Sequence, residues 1–263
     1  MELTDTQFER YARHLILDEV GEEGQARLLS SRVLVVGAGG LGAPLLLYLA
    51  AAGVGTLGVI DDDVVELSNL QRQVIHTTER LGMSKVESVA AMLASVNPDV
   101  RVVAMNTRLT ADNAASIIAD YDLIADGSDN FTTRFLLNDA CFLLGKPLAS
   151  AALLRFDAQI SIFKAHLGDP HPCYRCLFPE RPPEDLIPRC EQAGILGALA
   201  GTVGCLQATE VLKELLGIGE SLSGHLLIYD ALATTFRKIK VKRDPACALC
   251  GPQATIKDVR KID

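Results

Sequence analysis

The sequence contains no tryptophan, and only 5% of its residues are aromatic. It also lacks an excess of basic residues, because 33 Asp and Glu outnumber 25 Lys and Arg and give a formal net charge of -8. Nucleic acids and anionic membranes attract basic surfaces, so we expect neither as a partner of this chain. A local cluster of Arg or Lys can still hold phosphates.

The first residues lack the basic segment and apolar segment of a secretory signal, since Met1 is followed by Glu2, Asp5, Glu9 and Arg10. We therefore expect a cytoplasmic protein whose seven cysteines stay reduced. The 263 residues show no internal repeat and no low-complexity linker, which favours a single domain.

Residues 33–60 carry no charge, and such a stretch is long enough to span a membrane. However, seven glycines and one proline divide it into an apolar run, a glycine cluster, an Ala/Leu-rich run and a second apolar run. This pattern predicts a buried strand, a loop, a helix and a second strand.

Strand-like and helix-like segments continue to alternate along the chain. We predict strands over 31–37, 56–61, 100–105, 122–125, 155–163, 224–229 and 235–241, an apolar run over 147–152, and helices over 4–17, 41–52, 82–96, 111–119, 130–144 and 202–216. The order predicts a Rossmann-like α/β fold with a mixed, mainly parallel sheet and helices on both faces. Its ligand crevice should lie at the carboxyl ends of the strands.

The segment GAGGLG at 37–42 fits the pattern G-x-G-x-x-G between a strand and a helix. The residues Gly37, Gly39, Gly40 and Gly42 let backbone N–H groups approach a phosphate, and Asp61 ends the next predicted strand, where a carboxylate can bind ribose. The alternative is a glycine-rich packing turn without a ligand.

Polar residues after Asp61 suggest more than a dinucleotide site, because NAD needs little positive charge beyond the loop. Asn69, Arg72, Gln73 and Lys85 follow, and the two cations are suited to a longer phosphate chain. Either cation can instead be a solvated surface group. The motif G-x-x-x-x-G-K-[ST] is absent, which excludes P-loop chemistry.

Asp129 lies in the segment DGSDN after a predicted strand at the same end of the sheet. A carboxylate there can bind Mg²⁺ that bridges phosphate oxygens. Alternatively, Asp129 is the N-cap of the helix that follows.

Two C-x₂-C pairs, Cys173/Cys176 and Cys247/Cys250, stand 70 residues apart. Together they predict a tetrahedral Zn²⁺ site, and four thiolates leave no open position, so the metal should be structural. The zinc would attach the C-terminal part of the chain to the core. The alternative is a redox role for one pair.

Three further cysteines remain. Cys141 and Cys205 fall within apolar helices and are predicted to be inert core thiols. Cys190 lies in a proline-rich loop beside Arg189, which can favour the thiolate, and it is the candidate nucleophile of the chain. A plain surface thiol is the alternative.

Several of these segments, taken together in this order, resemble the MoeB/ThiF/HesA family, the prokaryotic relatives of ubiquitin-activating enzymes. The similar segments are RYAR at 10–13, GAGGLG, 61–73, 82–85, 126–134, CYRCLFP at 173–179 and CALC at 247–250. The resemblance implies a single ThiF-type domain over 1–263. It divides into N-terminal helices (1–30), a nucleotide-binding half (31–154) and a carrier-binding and zinc half (155–263).

The resemblance also implies an adenylyltransferase reaction. With ATP and Mg²⁺, such an enzyme adenylylates the C-terminal glycine of a ubiquitin-like sulfur carrier and releases pyrophosphate, for molybdopterin or thiamin synthesis. A homodimer and a separate sulfur donor are implied as well. Two other functions stay open from the residues alone, an NAD-dependent oxidoreductase and a non-catalytic docking scaffold.

The resemblance assigns roles to individual residues. Asp61 would hold the ribose, while Asn69, Arg72 and Lys85 would contact phosphates. Asp129 would govern Mg²⁺.

Two implied roles lie outside the glycine-loop crevice. Arg13 would reach into the site of the other subunit. Cys190 would take part in covalent sulfur chemistry after adenylylation.

Overall fold

The protein, described here from a computed structural model over residues 2–182 and 194–261, contains one eight-stranded sheet. The strands are β1 (Arg32–Val36), β2 (Thr56–Ile60), β3 (Arg101–Met105), β4 (Leu123–Asp126), β5 (Leu148–Leu154), β6 (Asp157–Phe163), β7 (His225–Asp230) and β8 (Thr235–Lys240). Their spatial order is β3-β2-β1-β4-β5-β6-β7-β8. The first five strands are parallel to one another, and β6 to β8 pair antiparallel, which confirms the predicted mixed, mainly parallel sheet.

Helices cover the parallel part of the sheet. They are α1 (Asp5–Arg10), α2 (Ala12–Leu15), α3 (Gly21–Ser30), α4 (Gly42–Ala51), α5 (Lys85–Val96), α6 (Ala114–Ala119), α7 (Phe131–Leu143), α8 (Tyr174–Leu177) and α9 (Gly197–Leu216). One core cluster joins α3, α4, α5 and α9 to one face of the sheet, and a second joins α6 and α7 to the other.

The central strand β1 shows how one segment serves both cores. Val33 and Val35 belong to the first cluster, whereas Leu34 and Val36 belong to the second. Because side chains alternate across a strand, a continuous apolar run is required where both faces are covered. The uncharged stretch 33–60 is thus the predicted strand, loop, helix and strand. Among the described residues, no helix is both long and apolar enough to cross a membrane.

The N-terminal region differs from the prediction of one helix over 4–17. Thr4 caps α1 in a capping box with Gln7, but the helix stops at Tyr11, whose buried hydroxyl accepts a hydrogen bond from Asn97. The chain restarts as α2 and then forms α3, which the sequence did not reveal. In α3 only Gln25 and Leu28 are buried, so the segment lacks the apolar periodicity of a core helix.

Two helix starts also differ from expectation. The helix predicted over 82–96 begins at Lys85, and the helix predicted over 202–216 begins five residues earlier, at Gly197. The added first turn of α9 reaches the carboxyl end of the sheet, where an ideal Cβ on Gly197 would lie 2.1 Å from the carbonyl oxygen of Gln71.

Two glycines of α9 provide a test of this packing. An ideal Cβ on Gly204 would lie 2.6 Å from the carbonyl oxygen of Leu41 and 2.4 Å from Cγ of Pro44, whereas a Cβ on Gly201 meets nothing within 4 Å. We predict that Gly204→Ala lowers the free energy of unfolding by about 2 kcal/mol or more through overpacking. Gly201→Ala should instead raise it by about 0.8 kcal/mol through helix propensity. Urea denaturation of both variants checks this, and equal effects would contradict the α4–α9 packing.

Candidate functional site

The candidate site lies at the switch point of the sheet, between the carboxyl ends of β1 and β4. The helix after β1, α4, covers one face, and the helix after β4, α7, covers the other. The two loops therefore diverge and leave a crevice, which is where open α/β sheets bind ligands.

The glycine loop of residues 37–42 packs tightly against the loop after β4. Gly37 has a φ of +97°, and an ideal Cβ there would lie 2.8 Å from the carbonyl oxygen of Gly127. An ideal Cβ on Gly42 would lie 2.0 Å from the carbonyl oxygen of Gly37. Only glycine allows this approach, so the loop presents backbone to the crevice.

The N–H groups at the start of α4 are available for a ligand. No described residue accepts a hydrogen bond from the backbone N–H of Gly39, Gly40 or Leu41. Free N–H groups at a helix N-terminus, together with the helix dipole, form an anion site. The preceding N–H, that of Ala38, donates to Oδ2 of Asp61 at 2.8 Å, so Asp61 lies beside the loop as predicted.

Arg72 and Gln73 border this row of N–H groups. The Cγ atom of Arg72 would lie 3.6 Å from an ideal Cβ on Gly40, and its Nη1 donates to the carbonyl oxygen of Ser68 at 3.0 Å. The Nε2 atom of Gln73 would lie 3.7 Å from an ideal Cβ on Gly39. Its Oε1 is buried and has no hydrogen-bond partner among the described residues. The structure thus brings both side chains to the loop.

Lys85 and Asn69 lie behind the residues that contact the glycine loop. Lys85 begins α5, and its Nζ pairs with Oδ2 of Asp63 at 2.7 Å while only 7% of its side chain is exposed. The backbone N–H of Asp63 donates to Asp61, which connects Lys85 to the glycine loop. Asn69 is buried, and its carbonyl oxygen accepts from the N–H groups of residues 72 and 73. Asn69 therefore shapes the turn that carries Arg72.

His76 is a buried site residue that the sequence did not reveal. Its Nε2 lies 3.0 Å from the carbonyl oxygen of Ala38, and its Nδ1 lies 2.8 Å from Oγ of Ser88 in α5. Burial lowers the pKa of His76, and the nearby charge of Lys85 lowers it further. A lone histidine in a loop gives no motif, so only the folded chain identifies it.

The loop after β4 is organised by a buried carboxylate. Asp126 is fully buried and accepts hydrogen bonds from the N–H and hydroxyl of Ser128 at 2.9 and 2.6 Å. Burial raises its pKa, while Nε of Arg134 at 3.8 Å opposes that shift. From α9, Gln207 donates to the carbonyl oxygens of Asp126, the last residue of β4, and Ala149, near the start of β5. These two bonds hold the neighbouring strands in place.

Asp129 is exposed at the edge of the crevice. Its suggested alternative role as N-cap is wrong, because Oδ1 of Asn130 accepts from the N–H of Thr133 at 2.8 Å and caps α7. Within residues 2–182 and 194–261, the Asp129 carboxylate has no hydrogen-bond or ion-pair partner. It is therefore available to a cation.

Arg13 lies at the opposite edge of the sheet. The neighbouring Tyr11 bonds to Asn97, which also donates to the carbonyl oxygen of Ala50. These contacts are at the ends of α4 and α5 that lead into β2 and β3, hence at the amino ends of the parallel strands. The five-residue strand β1 separates this edge from the glycine loop, about 16 Å of extended chain. The structure does not bring the exposed Arg13 to the crevice of its own chain.

The four cysteines of the two C-x₂-C pairs come together. Their sulfurs lie within 4.8 Å of one another, with Cys173–Cys247 at 3.5 Å, Cys176–Cys250 at 3.4 Å and Cys173–Cys176 at 3.8 Å. A tetrahedral ion with Zn–S bonds of about 2.3 Å requires sulfur separations of about 3.8 Å. The donor set and spacing fit a tetrahedral zinc ion.

The segment around Cys247 is held in place by Arg243. Its guanidinium donates to the carbonyl oxygens of Ala165, His171 and Cys250. The N–H of residue 244 points to the sulfur of Cys176 at 3.3 Å, a contact that stabilises a thiolate.

The other thiols differ in burial. Cys141 is buried, as predicted, and burial raises its pKa. Cys205 is half-buried rather than within the core, and burial raises its pKa too. Cys190 lies outside the described residues.

The sheet, its helices and the crevice at the switch point define a Rossmann-like α/β protein. The ThiF family model matches residues 11–249, and the chain belongs to the ThiF family. The fold also resembles solved structures of E. coli MccB. A complex with AMPCPP and MccA has a TM-score of 0.80 at 21% identity and covers 95% of this chain and 75% of that one.

Curated relatives match over nearly the whole chain. The sulfur carrier protein adenylyltransferase of Thermus thermophilus is 51% identical over 98% of this chain and 96% of its own. The SAMP-activating enzyme E1 of Haloferax volcanii is 51% identical over 100% and 96%. The adenylyltransferase and sulfurtransferase MOCS3 of Sus scrofa is 49% identical over 99% of this chain, which spans 57% of that protein.

The cysteine cluster generates a prediction about metal content. Purified protein should contain about one zinc ion per chain, and Cys247→Ala should abolish binding and lower the melting temperature because one of four ligands is lost. Cys205→Ala, outside the cluster, is the matched control and should keep the metal. Elemental analysis with thermal denaturation tests this. Zinc retained in Cys247→Ala would assign the metal to other ligands.

Proposed function

We propose that the protein uses Mg·ATP to adenylylate the C-terminal glycine carboxylate of a ubiquitin-like sulfur carrier, with release of pyrophosphate. The observation that carries the proposal is the row of N–H groups at residues 39–41, which no described residue accepts and which Arg72 borders. Lys85 is linked to the same loop through Asp63 and Asp61. Relatives about half identical over nearly the whole of this chain are named adenylyltransferases, and this supports the same activity here. Their names favour this function over an NAD-dependent oxidoreductase or an inert scaffold.

The reaction needs no nucleophile from the protein. The carrier carboxylate, ionised at neutral pH, attacks the α-phosphorus. A bond forms between a carboxylate oxygen and that phosphorus, while the bond to the bridging oxygen of the β-phosphate breaks and pyrophosphate leaves. Catalysis then consists of in-line positioning and charge stabilisation.

The phosphates would bind where the described residues leave hydrogen-bond donors unpaired. The N–H groups of 39–41 hold phosphate oxygens, and Arg72 stabilises charge that develops on the leaving group. Asn69 and Gln73 would also contact the phosphates, Gln73 from its position beside Gly39. Lys85 contacts the phosphates after its ammonium has been oriented by Asp63.

Mg²⁺ and the ribose require oxygen ligands in the same crevice. The exposed Asp129 would hold Mg²⁺, which would offset the negative charge of the phosphates. Asp61 already accepts the N–H of Ala38 through Oδ2 and that of Asp63 through Oδ1. Each oxygen keeps a second lone pair for a ribose hydroxyl.

The carrier would dock on the antiparallel end of the sheet. Strand β8 is exposed along its length and forms the sheet edge, with Phe236 and Ile239 half exposed. The same strand carries basic side chains at Arg237, Lys238 and Lys240. An acidic partner that adds a strand to this edge would satisfy backbone groups that no described strand pairs. A zinc ion held by the four cysteines of the two C-x₂-C pairs would join the segments that precede and follow strands β7 and β8 in the sequence.

A homodimer would complete the site. Arg13 is too far from the crevice of its own chain and would enter the crevice of a partner subunit. Cys190 would act after adenylylation, in a sulfur-transfer step that serves molybdopterin or thiamin synthesis in the cytoplasm. Because adenylylation itself uses no thiol, this cysteine is dispensable for the first step.

Two substitutions test the phosphate and magnesium roles. Arg72→Ala and Asp129→Ala should each raise the activation barrier by about 2–4 kcal/mol, since each removes a preorganised charge from the transition state. Carrier-dependent exchange of labelled pyrophosphate into ATP measures this loss. Arg101→Ala removes an exposed arginine at the start of β3 and serves as the control with unchanged exchange. Wild-type exchange rates in either test variant would overturn the site assignment.

Subunit mixing tests the role of Arg13. Arg13→Ala and Arg72→Ala homodimers should both be inactive. In a heterodimer, the Arg13→Ala chain keeps its Arg72 and the Arg72→Ala chain keeps its Arg13. The crevice of the Arg13→Ala chain is then complete, whereas the other crevice lacks both arginines. After random reassociation we expect about one quarter of wild-type exchange activity, because half the dimers carry one complete site of two. Activity that stays at the level of the parents would argue against contribution of Arg13 across a dimer.

A further inference from the structure

His76 is bonded at both ring nitrogens inside the nucleotide half, and the mechanism above does not use it. It is only 5% exposed and lies between the glycine loop and α5. The titratable or charged groups whose fields act on it are Lys85, Asp61 and Arg80.

The partners of His76 define its tautomer. The carbonyl oxygen of Ala38 can only accept, so Nε2 must carry the proton that it receives at 3.0 Å. In the neutral ring Nδ1 is then an acceptor, and the hydroxyl of Ser88 donates to it at 2.8 Å. The lowered pKa, caused first by burial, favours this neutral form at physiological pH.

The bond to Ala38 determines where the next N–H points. In a trans peptide the C=O of one residue and the N–H of the next point in opposite directions. Because His76 draws the Ala38 carbonyl into the protein, the N–H of Gly39 is turned the other way, out of the interior. The N–H of Ala38 is fixed at the same time by Asp61 at 2.8 Å.

We propose that His76, as the Nε2–H tautomer, is a positioning residue for nucleotide binding, which holds the Ala38–Gly39 peptide so that the Gly39 N–H faces the phosphates. Through Ser88 the same ring joins this peptide to α5, the helix that begins with Lys85. The inference rests on the proposed ATP-dependent function and adds a residue to it.

Two conservative substitutions separate the two hydrogen bonds. The Nε2 of glutamine is as many bonds from Cα as the Nε2 of histidine, so His76→Gln keeps a donor for Ala38. The amide of asparagine ends at the position of Nδ1, so His76→Asn keeps a partner for Ser88 and loses the bond to Ala38. Both variants bury a similar amide, which makes each a control for the other.

Binding of Mg²⁺ with a non-hydrolysable ATP analogue is measured by calorimetry, with melting temperatures recorded in parallel. We expect binding to be about tenfold weaker in His76→Asn and within about threefold of wild type in His76→Gln, as one misdirected hydrogen bond to a charged group predicts. In pyrophosphate exchange the loss should appear in KM for ATP rather than in kcat. Equal nucleotide affinity in the two variants would overturn the inference. A loss of affinity that merely parallels the decrease in melting temperature would overturn it as well.

Nitrogen NMR of the imidazole in the wild-type protein gives a test that needs no variant. At pH 7.5 we expect a protonated Nε2 and an unprotonated Nδ1, and the opposite tautomer would overturn the inference. If the wild-type protein binds the analogue while His76→Asn binds it equally well, only the role of His76 fails. If the wild type binds no nucleotide, the proposed function fails and this inference fails with it.

Discussion

The close approach of backbone to backbone at the switch point is the constraint on which the rest of the structure depends. The carbonyl oxygen of Gly37 occupies the space that a Cβ on Gly42 would need, and Gly127 closes the other side. This contact sets the start of α4 directly behind β1 and leaves the N–H groups of 39–41 without an acceptor among the described residues. Asp61, His76 and Arg72 then attach to a loop whose position has already been fixed.

The chemistry of the site follows from how few of its donors are used internally. Helix starts normally satisfy their N–H groups by capping, yet no described residue caps this one. An uncapped helix start is less stable, and contacts around the crevice compensate for it. Gln207 fastens the ends of β4 and β5, and Gly204 lets α9 pack directly on α4.

The sequence predicted those features that depend on short-range patterns. Short motifs identify the glycine loop and the paired C-x₂-C segments, and Asp61 is identified by its place at the end of a strand. Strands β1 and β2 are recognised by their continuous runs of uncharged residues. Arg72 was predicted from the sequence to serve the crevice, and its Cγ lies beside the glycine loop, while its role stays a prediction. Helix α3 could not be predicted because few of its residues are buried and apolar. His76 could not be predicted because its hydrogen-bond partners, Ala38 and Ser88, lie 38 and 12 residues away and form no sequence motif with it. The segment RYAR alone does not show at which end of the strands Arg13 lies. That position depends on the hydrogen bond between Tyr11 and Asn97, which are 86 residues apart.

The most direct test of the central claim is a crystal structure of the protein with Mg²⁺ and a non-hydrolysable ATP analogue. The account predicts phosphate oxygens within about 3 Å of the N–H groups of residues 39–41, with the guanidinium of Arg72 beside them and the metal next to Asp129. A nucleotide bound elsewhere, or one whose phosphates point away from the glycine loop, would contradict it.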